Sequence, residues 1–381
     1  MAARFVRPFA AHRADLAALA AADRRRALAP RTGIDFASND YLGLAGSAAL
    51  RDALTDGIAR GLPAGSGGSR LLRGNHPEHE ALETHAARHY GSEAALFFAT
   101  GFAANAALFA TLPQRGDLVV HDALIHASAH DGMRLGRAER AAAAHNDAQA
   151  FDDAIAAWRR TGATGTPWIA VESLYSMDGD TAPLADLAAV ADRHDGVLIV
   201  DEAHATGVFG PAGAGLAHDL AGRENFIALH TCGKALGCEG ALLCAPRIVT
   251  DFLVNRGRPF IFSTAPSPLI AWLVRQALEI VATEPERQAA LHARIRHAET
   301  RLAALGLPAS GSQILPVRLG DNARTMRIAA ALQAAGFDIR GIRPPTVPQG
   351  TARLRIAITL HVDDANIDAM TGALAAAMAA A

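Results

Sequence analysis

Short apolar runs alternate with amphipathic segments through the middle of the chain. The apolar runs predict buried strands at residues 95–99, 118–121, 168–172, 197–201, 226–230 and 241–244. The segments between several of them, including residues 77–90, 103–112 and 183–194, have the periodicity of helices. Buried strands that alternate with helices form parallel sheets covered on both faces. The pattern therefore predicts an α/β fold with a mostly parallel, doubly wound sheet.

The pattern changes near residue 266. Two long helical segments, roughly residues 266–283 and 286–304, are followed by predicted strands at 314–319 and 352–359 and by a helix that begins near Asp363. The 381 residues exceed the roughly 250–300 at which a single core stops growing. We therefore expect a large domain at residues 46–265 and a smaller α+β domain at 266–381, with residues 1–45 packing on the small domain.

Composition and charge exclude several classes of protein. The net charge is −2 and the longest basic run is Arg24-Arg25-Arg26, so we expect no binding to nucleic acid or to an anionic membrane. No run of 18 apolar residues predicts a membrane span, and the N-terminal residues lack the apolar core of a signal peptide. Cys232, Cys238 and Cys244 have neither disulfide-framework nor zinc spacing. We expect reduced thiols in a cytoplasmic protein.

Polar residues follow three predicted strands at the ends where open α/β sheets bind ligands. These residues are Thr100-Gly101-Phe102, Asp201-Glu202-Ala203-His204 and Thr231-Cys232-Gly233-Lys234. Each group alone has an ordinary structural explanation as a turn, a helix cap, a structural histidine or a solvated lysine. Together they suit one cofactor, because a phosphate binds a helix N-terminus, a pyridinium nitrogen pairs with an aspartate and an aldehyde reacts with a lysine. They predict pyridoxal 5′-phosphate.

Other kinds of site have weaker support. His121, His126 and His130 suggest a metal site, but the metalloprotease motif needs a glutamate directly after its first histidine, and residue 127 is alanine. We expect no metal. The chain has neither the G-x-S-x-G motif of α/β-hydrolases nor a Walker A motif. A binding module stays possible, although it leaves the lysine, the aspartate and the phosphate cradle unexplained.

Several ordered motifs resemble those of the α-oxoamine synthases, which are fold-type I pyridoxal-phosphate enzymes. They lie at residues 38–44, 65–69, 100–105, 176–180, 201–204 and 231–234, and residues 343–348 and 350–356 are most similar to the branch of the family that acts in biotin synthesis. The similarity extends from about residue 24 to 361, nearly the whole chain. It implies the fold-type I architecture, in which a sheet of about seven mostly parallel strands is flanked by helices and joined to a smaller α+β domain.

The resemblance also implies the residues of the cofactor site. Lys234 matches the lysine that holds the cofactor as a Schiff base and moves the Cα proton, and Asp201 matches the aspartate that keeps the ring nitrogen protonated. His126 matches the histidine that stacks on the ring, and His204, like Ser176, matches a group that hydrogen-bonds the ring oxygen. The candidate catalytic residues are thus Lys234, Asp201, His126 and His204. The phosphate contacts implied are Gly101, Phe102, Thr231 and, from a partner subunit, Thr264.

Substrates and assembly are implied in the same way. Asn39 and Arg355 match groups near the amino-acid carboxylate, and Arg24 and Thr346 match contacts of the acyl substrate. Which of the three consecutive arginines makes that contact stays open. The resemblance implies L-alanine and a pimeloyl thioester as substrates, with CoA or acyl-carrier protein as the carrier. It also implies a homodimer with its active site at the interface, to which residues 65–69 and 262–264 contribute from the neighbouring subunit. The sequence does not choose between the carriers.

Alternatives within the family remain. Glycine C-acetyltransferase, 5-aminolevulinate synthase and serine palmitoyltransferase share the cofactor residues, so these residues cannot distinguish them. Residues 70–76, Cys232 and Cys238-Glu239 depart from the family's pattern near the expected site, which leaves the acyl substrate open. Arg353 and Arg355 lie on one face of a predicted strand, so Arg355 could instead pair with a surface acid.

Overall fold

The computed structural model describes residues 8–28 and 30–381. Its α-helices are α1 (Ala10–Ala21), α2 (Ala48–Ala59), α3 (Pro77–His89), α4 (Gly101–Thr111), α5 (Ala127–Leu135), α6 (Ala148–Arg160), α7 (Leu184–Arg193), α8 (Arg247–Arg256), α9 (Arg258–Ile261), α10 (Pro268–Thr283), α11 (Pro285–Ala303), α12 (Asn322–Ala334) and α13 (Asp364–Ala380). Its strands are β1 (Ile34–Asp35), β2 (Ala94–Phe98), β3 (Leu118–Asp122), β4 (Glu139–Ala143), β5 (Pro167–Glu172), β6 (Val197–Asp201), β7 (Phe226–Thr231), β8 (Ala241–Ala245), β9 (Ile314–Gly320), β10 (Phe337–Asp338), β11 (Arg340–Ile342) and β12 (Ala352–Ala357).

These elements belong to two compact units. The larger unit contains Asn39–Ala293 and Thr359–His361, and the smaller unit contains the described residues of Met1–Ser38 together with Arg294–Ile358 and Val362–Ala381. No described helix is both long enough and apolar enough to span a membrane.

The larger unit is built around a seven-stranded sheet in the order β2-β8-β7-β6-β5-β3-β4. The strands β4, β3, β5, β6 and β7 are mutually parallel, and only β8 runs antiparallel to its two neighbours. Strands β2, β3, β7 and β8 are buried along their whole length. Such burial on both faces is expected where helices cover a parallel sheet. The predicted mostly parallel, seven-stranded α/β sheet is confirmed.

Close packing of two helices brings polar groups toward the carboxyl ends of these strands. Helix α5 lies so near α4 that a Cβ atom on Gly132 would come within 2.7 Å of the Asn105 carbonyl oxygen. Glycine permits this approach because it has no side chain. Beneath the two helices lies a core of fully buried side chains that includes Phe98, Leu108, Phe109 and Ile199. The site residues on α4 and α5 are therefore fixed by a rigid layer.

The smaller unit contains an antiparallel sheet in the order β11-β12-β9 and a parallel pair of β1 with β10. Helices α12 and α13 pack against each other, and α12 also covers this sheet. Strands β9 and β12 correspond to the predicted strands at 314–319 and 352–359. The predicted domain limits at residues 45 and 266 stay predictions, and the limits of the compact units differ from them. Helix α10 belongs to the larger unit because it packs against α2 and α3.

Candidate active site

A cleft of about 430 Å³ lies in the larger unit where strands β2, β5, β6 and β7 end. Its walls come from the residues after each strand, as expected for ligand sites of open α/β sheets. Eight of the predicted site residues line this cleft: Asn39, Gly101, Phe102, His126, Asp201, His204, Thr231 and Lys234. Five residues with polar side chains that were given no predicted role line it as well: Thr100, Asn105, Ser128, Glu172 and Glu239.

The N-terminus of α4 forms one wall of the cleft. The Thr100 hydroxyl caps the helix by accepting from the Ala103 N–H at 3.0 Å. The first N–H groups of a helix, here those of Gly101 and Phe102, have no partner within it and suit an anion. A Cβ atom on Gly101 would lie 2.7 Å from the Thr231 methyl group. Only glycine therefore allows the start of α4 to pack this closely against Thr231.

Asp201, the last residue of β6, has each carboxylate oxygen bound by a donor. Its Oδ2 accepts from the Asn105 side-chain amide at 2.9 Å and its Oδ1 from the Ala203 N–H at 3.0 Å. The same amide nitrogen of Asn105 lies 3.0 Å from the Ser128 hydroxyl, which is 2.8 Å from Nδ1 of His126. A hydrogen-bonded chain thus joins Asp201 to His126. Both oxygens are thereby held in a fixed orientation.

His126 is the N-cap of α5. Its Nδ1 accepts from the Ser128 N–H at 3.2 Å, which fixes the orientation of the ring in the cleft. Burial lowers the pKa of His126; Asp201 opposes this shift and Lys234 adds to it. The imidazole is consequently neutral at pH 7, so it can present a flat, uncharged face to an aromatic ring.

Tyr41 joins two of the predicted residues on the other side of the cleft. Its buried hydroxyl donates to Oδ1 of Asn39 at 3.0 Å and lies 2.7 Å from Nδ1 of His204. Nδ1 of His204 therefore has a hydrogen-bond partner within the protein, the Tyr41 hydroxyl. Tyr41, which is not among the predicted site residues, therefore fixes the positions of Asn39 and His204 relative to each other.

Lys234 lies in a tightly folded loop after β7. Its Nζ is 3.4 Å from the Thr231 hydroxyl, and its carbonyl accepts from the Gly237 N–H at 2.9 Å. Gly237 has a φ of 64°, and a Cβ atom there would collide with the backbone of Ala45. The loop thus requires glycine at this position, and it holds the lysine amine beside the α4 wall.

Ser176 is not among the residues that line the cleft. Its N–H donates to Oε2 of Glu172, which does line it, at 3.2 Å. The turn that carries Ser176 is anchored by His145, whose two ring nitrogens lie 2.9 Å from Asp122 and 2.7 Å from Asp180. Burial alone would lower the pKa of His145, but its hydrogen bonds to the two aspartates raise it to about 10. A charged imidazole therefore holds the turn near the site.

Thr264 also lies outside the cleft, in the lining of a smaller cavity beside Phe260. The two segments predicted to reach a partner subunit are hydrogen-bonded to each other. The Ser66 hydroxyl donates to the Ala265 carbonyl at 2.7 Å, and the Ala265 N–H donates to the Gly68 carbonyl at 2.9 Å. The structure thus joins these two segments of the larger unit, and neither of them lines the cleft.

Three of the four predicted substrate residues, Arg24, Thr346 and Arg355, belong to the smaller unit. The Arg24 side chain donates to the Pro344 carbonyl at 3.0 Å, whereas Arg26 donates to the Thr346 hydroxyl at 2.8 Å. Arg355 is buried on β12, where it pairs across the sheet with Arg340. Within this unit, Arg26 rather than Arg24 is the arginine that contacts Thr346.

Pyridoxal phosphate fits the residues of the cleft. The first N–H groups of α4 suit its phosphate, Asp201 suits its ring nitrogen, and the Lys234 amine suits its aldehyde. The fold and this cleft define a fold-type I pyridoxal-phosphate enzyme.

Comparison with known proteins agrees with this class. The model of the family described as aminotransferase class I and II matches residues 31–374. An 8-amino-7-oxononanoate synthase of Anaeromyxobacter dehalogenans (strain 2CP-1) is 43% identical over 382 residues, covering 96% of this chain and 94% of that protein. Among solved structures, a serine palmitoyltransferase from S. paucimobilis with bound PLP-myriocin aldimine is 27% identical and has a TM-score of 0.89, with 98% of each chain covered.

A structure of 8-amino-7-oxononanoate synthase from Francisella tularensis is 26% identical with a TM-score of 0.77, covering 90% of this chain and 97% of that one. The chain belongs to the aminotransferase class I and II family and, within it, to the 8-amino-7-oxononanoate synthases. The resemblance and the pyridoxal-phosphate cofactor predicted from the sequence motifs are confirmed.

Proposed function

We propose that the protein catalyses the decarboxylative condensation of L-alanine with a pimeloyl thioester, giving 8-amino-7-oxononanoate, CO₂ and the free thiol. This reaction serves biotin synthesis. The main support is the 43% identity to an 8-amino-7-oxononanoate synthase over 96% of the chain. The cleft supplies the second argument, because it places an amine, an aspartate and an anion site around one volume.

In this proposal, bound pyridoxal phosphate supplies an electron-withdrawing ring that lowers the cost of negative charge at the amino acid's Cα. Asp201, with both oxygens held by donors, keeps a proton on the ring nitrogen. The Nζ of Lys234 holds the aldehyde and, once released, removes the Cα proton of alanine and returns a proton to the product. Neutral His126 lies against the ring, and Gly101, Phe102 and Thr231 hold the phosphate.

The residues of the smaller unit are assigned from the motif match. Arg355 binds the carboxylate of alanine together with Asn39, since a guanidinium forms two parallel hydrogen bonds to a carboxylate. Thr346 and the arginine run 24–26 contact the acyl substrate. We also propose that Thr264 and Ser176 complete the cofactor site, that the working unit is a homodimer with its active sites at the interface, and that the enzyme acts in the cytoplasm.

A second candidate is the condensation of serine with a long-chain acyl thioester. It is favoured by the high TM-score to serine palmitoyltransferase, but the sequence identity to that structure is only 27%. A third, glycine with acetyl-CoA, shares the cofactor residues. The acyl carrier, CoA or acyl-carrier protein, is a further choice within the main proposal.

The test compares kcat/KM for alanine with pimeloyl-CoA, alanine with pimeloyl-acyl-carrier protein, serine with palmitoyl-CoA and glycine with acetyl-CoA. We expect a pimeloyl pair to exceed the other two by about 100-fold or more, a discrimination within reach of a shaped binding site. Preference for serine or glycine would leave only the broader family.

Lys234→Ala serves as the control. It should fold, bind the cofactor without a borohydride-trappable bond, and give no turnover; a reduced adduct on another lysine would refute the assignment of Lys234.

A further inference from the structure

Two carboxyl groups lie side by side at the floor of the cleft. Glu172, the last residue of β5, is directly opposite Asp201 in the parallel β5–β6 pair. Their exposed fractions are 2% and 8%. Neighbouring strands are about 4.8 Å apart, and two carboxyl groups that share a buried site oppose each other's ionisation. Simultaneous ionisation of both carboxyl groups is therefore unfavourable.

The hydrogen bonds of the two residues differ. Each oxygen of Asp201 accepts from an N–H group at 2.9–3.0 Å. Glu172 has one such bond, at 3.2 Å from the Ser176 N–H to Oε2, while its Oε1 is buried without a hydrogen-bond partner among the described residues. An ionised carboxylate with a bare buried oxygen is costly, whereas a protonated one can use that oxygen as a donor. The carboxyl group of Glu172 thus has fewer hydrogen-bond donors than that of Asp201.

The charged groups that face Glu172 together oppose its ionisation, although one of them favours it. They are Asp201 on β6, Asp122 at the end of β3 and Lys234 after β7, so two acids oppose one cation. Burial and then Asp201 raise the pKa of Glu172 well above its ordinary range, and Lys234 only partly opposes this shift. Another buried acid, Glu202, has more hydrogen-bond donors than Glu172. The Ser173 hydroxyl and the N–H groups of Leu216 and Ala217 all donate to its carboxylate.

We propose that Glu172 is a positioning residue that stays protonated at neutral pH, so that Asp201 carries the charge of the pair and the Glu172 O–H donates a hydrogen bond into the cleft. This inference rests on the proposed cofactor site. Its effect on the reaction is exerted through Asp201, since only one of the two groups can hold the proton on the ring nitrogen. Ionisation of Glu172 would instead oppose the charge on Asp201.

Infrared difference spectra of the full-length protein test the protonation state. We expect wild type minus Glu172→Gln to show a protonated-carboxyl C=O band at about pH 8.5, more than one unit above the pKa of about 7 for Glu202. The matched control, wild type minus Glu202→Gln, should lack this band at the same pH. Absence of the band for Glu172 at pH 7 as well as at pH 8.5 would overturn the proposal, whatever the enzyme's substrates prove to be.

Thermal unfolding without cofactor gives a second readout. A buried acid with a raised pKa keeps a proton that the unfolded chain releases, so its contribution to stability falls as pH rises above the unfolded value. Glu172→Gln, which mimics the neutral acid, should therefore gain stability relative to wild type as the pH rises from 5 through neutral pH. An equal pH dependence in both proteins would contradict the proposal.

Measurements of cofactor binding distinguish a hydrogen bond donated by Glu172 from a contribution of its packing alone. Titration with pyridoxal phosphate, followed by protein fluorescence, should give Glu172→Gln an affinity within about threefold of wild type, because the amide can still donate. Glu172→Leu should bind at least tenfold more weakly, and the pH dependence of its cofactor absorbance should shift. If Glu172→Leu matches Glu172→Gln in both measurements, Glu172 donates no functional hydrogen bond.

Discussion

At the scale of single residues, the surroundings of Asp201 fit both roles that its position allows, a strand-end cap and a partner for a bound ligand. The bond from the Ala203 N–H is what a strand-end aspartate makes as an ordinary cap. The bond from Asn105 is different, because it ties the carboxylate to a helix 96 residues earlier in the chain. A simple cap needs no such partner, so the pair of bonds is best explained by a carboxylate oriented for a ligand.

Substitutions at Asp201 test this interpretation. An opposite charge raises the pKa of a ring nitrogen, and loss of two pKa units corresponds to about 2.7 kcal/mol. We therefore expect Asp201→Ala and Asp201→Asn to lower kcat by about 100-fold or more, while Asp201→Glu keeps a measurable fraction. Steady-state kinetics with saturating cofactor provides the measurement. Near-native activity of Asp201→Ala and Asp201→Glu alike would reduce the aspartate to a structural cap.

The sequence predicted the site residues that follow strands directly and missed those that depend on packing. Lys234 and Asp201 were found because the carboxyl ends of parallel strands meet at one edge. Asn105 and Ser128 reach the site only because α4 and α5 pack closely, and no local pattern records that contact. Glu172 was predicted as the end of a strand, but its proximity to Asp201 depends on the register of two strands.

At the scale of secondary structure, the start of α4 decides whether the cleft can accept a phosphate. The helix begins directly after β2, and its first residue faces Thr231 at the end of β7. The helix can begin this close to β7 only because Gly101 has no Cβ atom. The group that such an atom would meet is the methyl group of Thr231, and the Thr231 hydroxyl is separate from it.

Gly101→Ala should accordingly weaken binding of pyridoxal phosphate by at least tenfold without unfolding the protein, because the new methyl group would lie 2.7 Å from the Thr231 methyl. The double variant Gly101→Ala with Thr231→Ser removes the second methyl group but keeps the hydroxyl. It should recover most of the affinity, as measured by equilibrium dialysis of the cofactor. Unchanged affinity in Gly101→Ala would place the phosphate elsewhere.

Most of the large sheet was predictable because its strands are buried on both faces and read as apolar runs. Strand β4 was missed, since it is an edge strand of sequence Glu-Arg-Ala-Ala-Ala with only its last residue buried. Strands β10 and β11 have two and three residues, too few for a periodicity to be recognised. The predicted limit at residue 266 followed a change in pattern, whereas the compact units follow the packing of α10, which the local sequence does not encode.

At the scale of the whole molecule, the surface formed by residues 65–72 and 258–265 carries exposed apolar side chains. Leu72 and Phe262 are 86% and 71% exposed. Large apolar side chains grouped on a surface are typical of protein interfaces. This surface includes both segments from which the resemblance predicts contributions to a neighbouring active site.

We expect light scattering to give about twice the 39.7 kDa chain mass. Leu72→Glu combined with Phe262→Glu should shift the protein toward monomer and lower activity, because buried charges without partners oppose association. Ile248→Glu, at an equally exposed position on α8, is the matched control and should leave the mass unchanged. A wild-type monomer with full activity at assay concentrations would exclude the homodimer.

The pairing of β1 with β10 has a consequence for how the protein is made. Ile34 and its partner Phe337 are about 300 residues apart in the chain, a length that a ribosome needs about 15–60 s to synthesise. Nearly all of the larger unit is complete once residue 293 has emerged, so it can fold during translation. The N-terminal residues of the smaller unit must wait for their partners. During that interval they are the part of the nascent chain most open to chaperones and proteases.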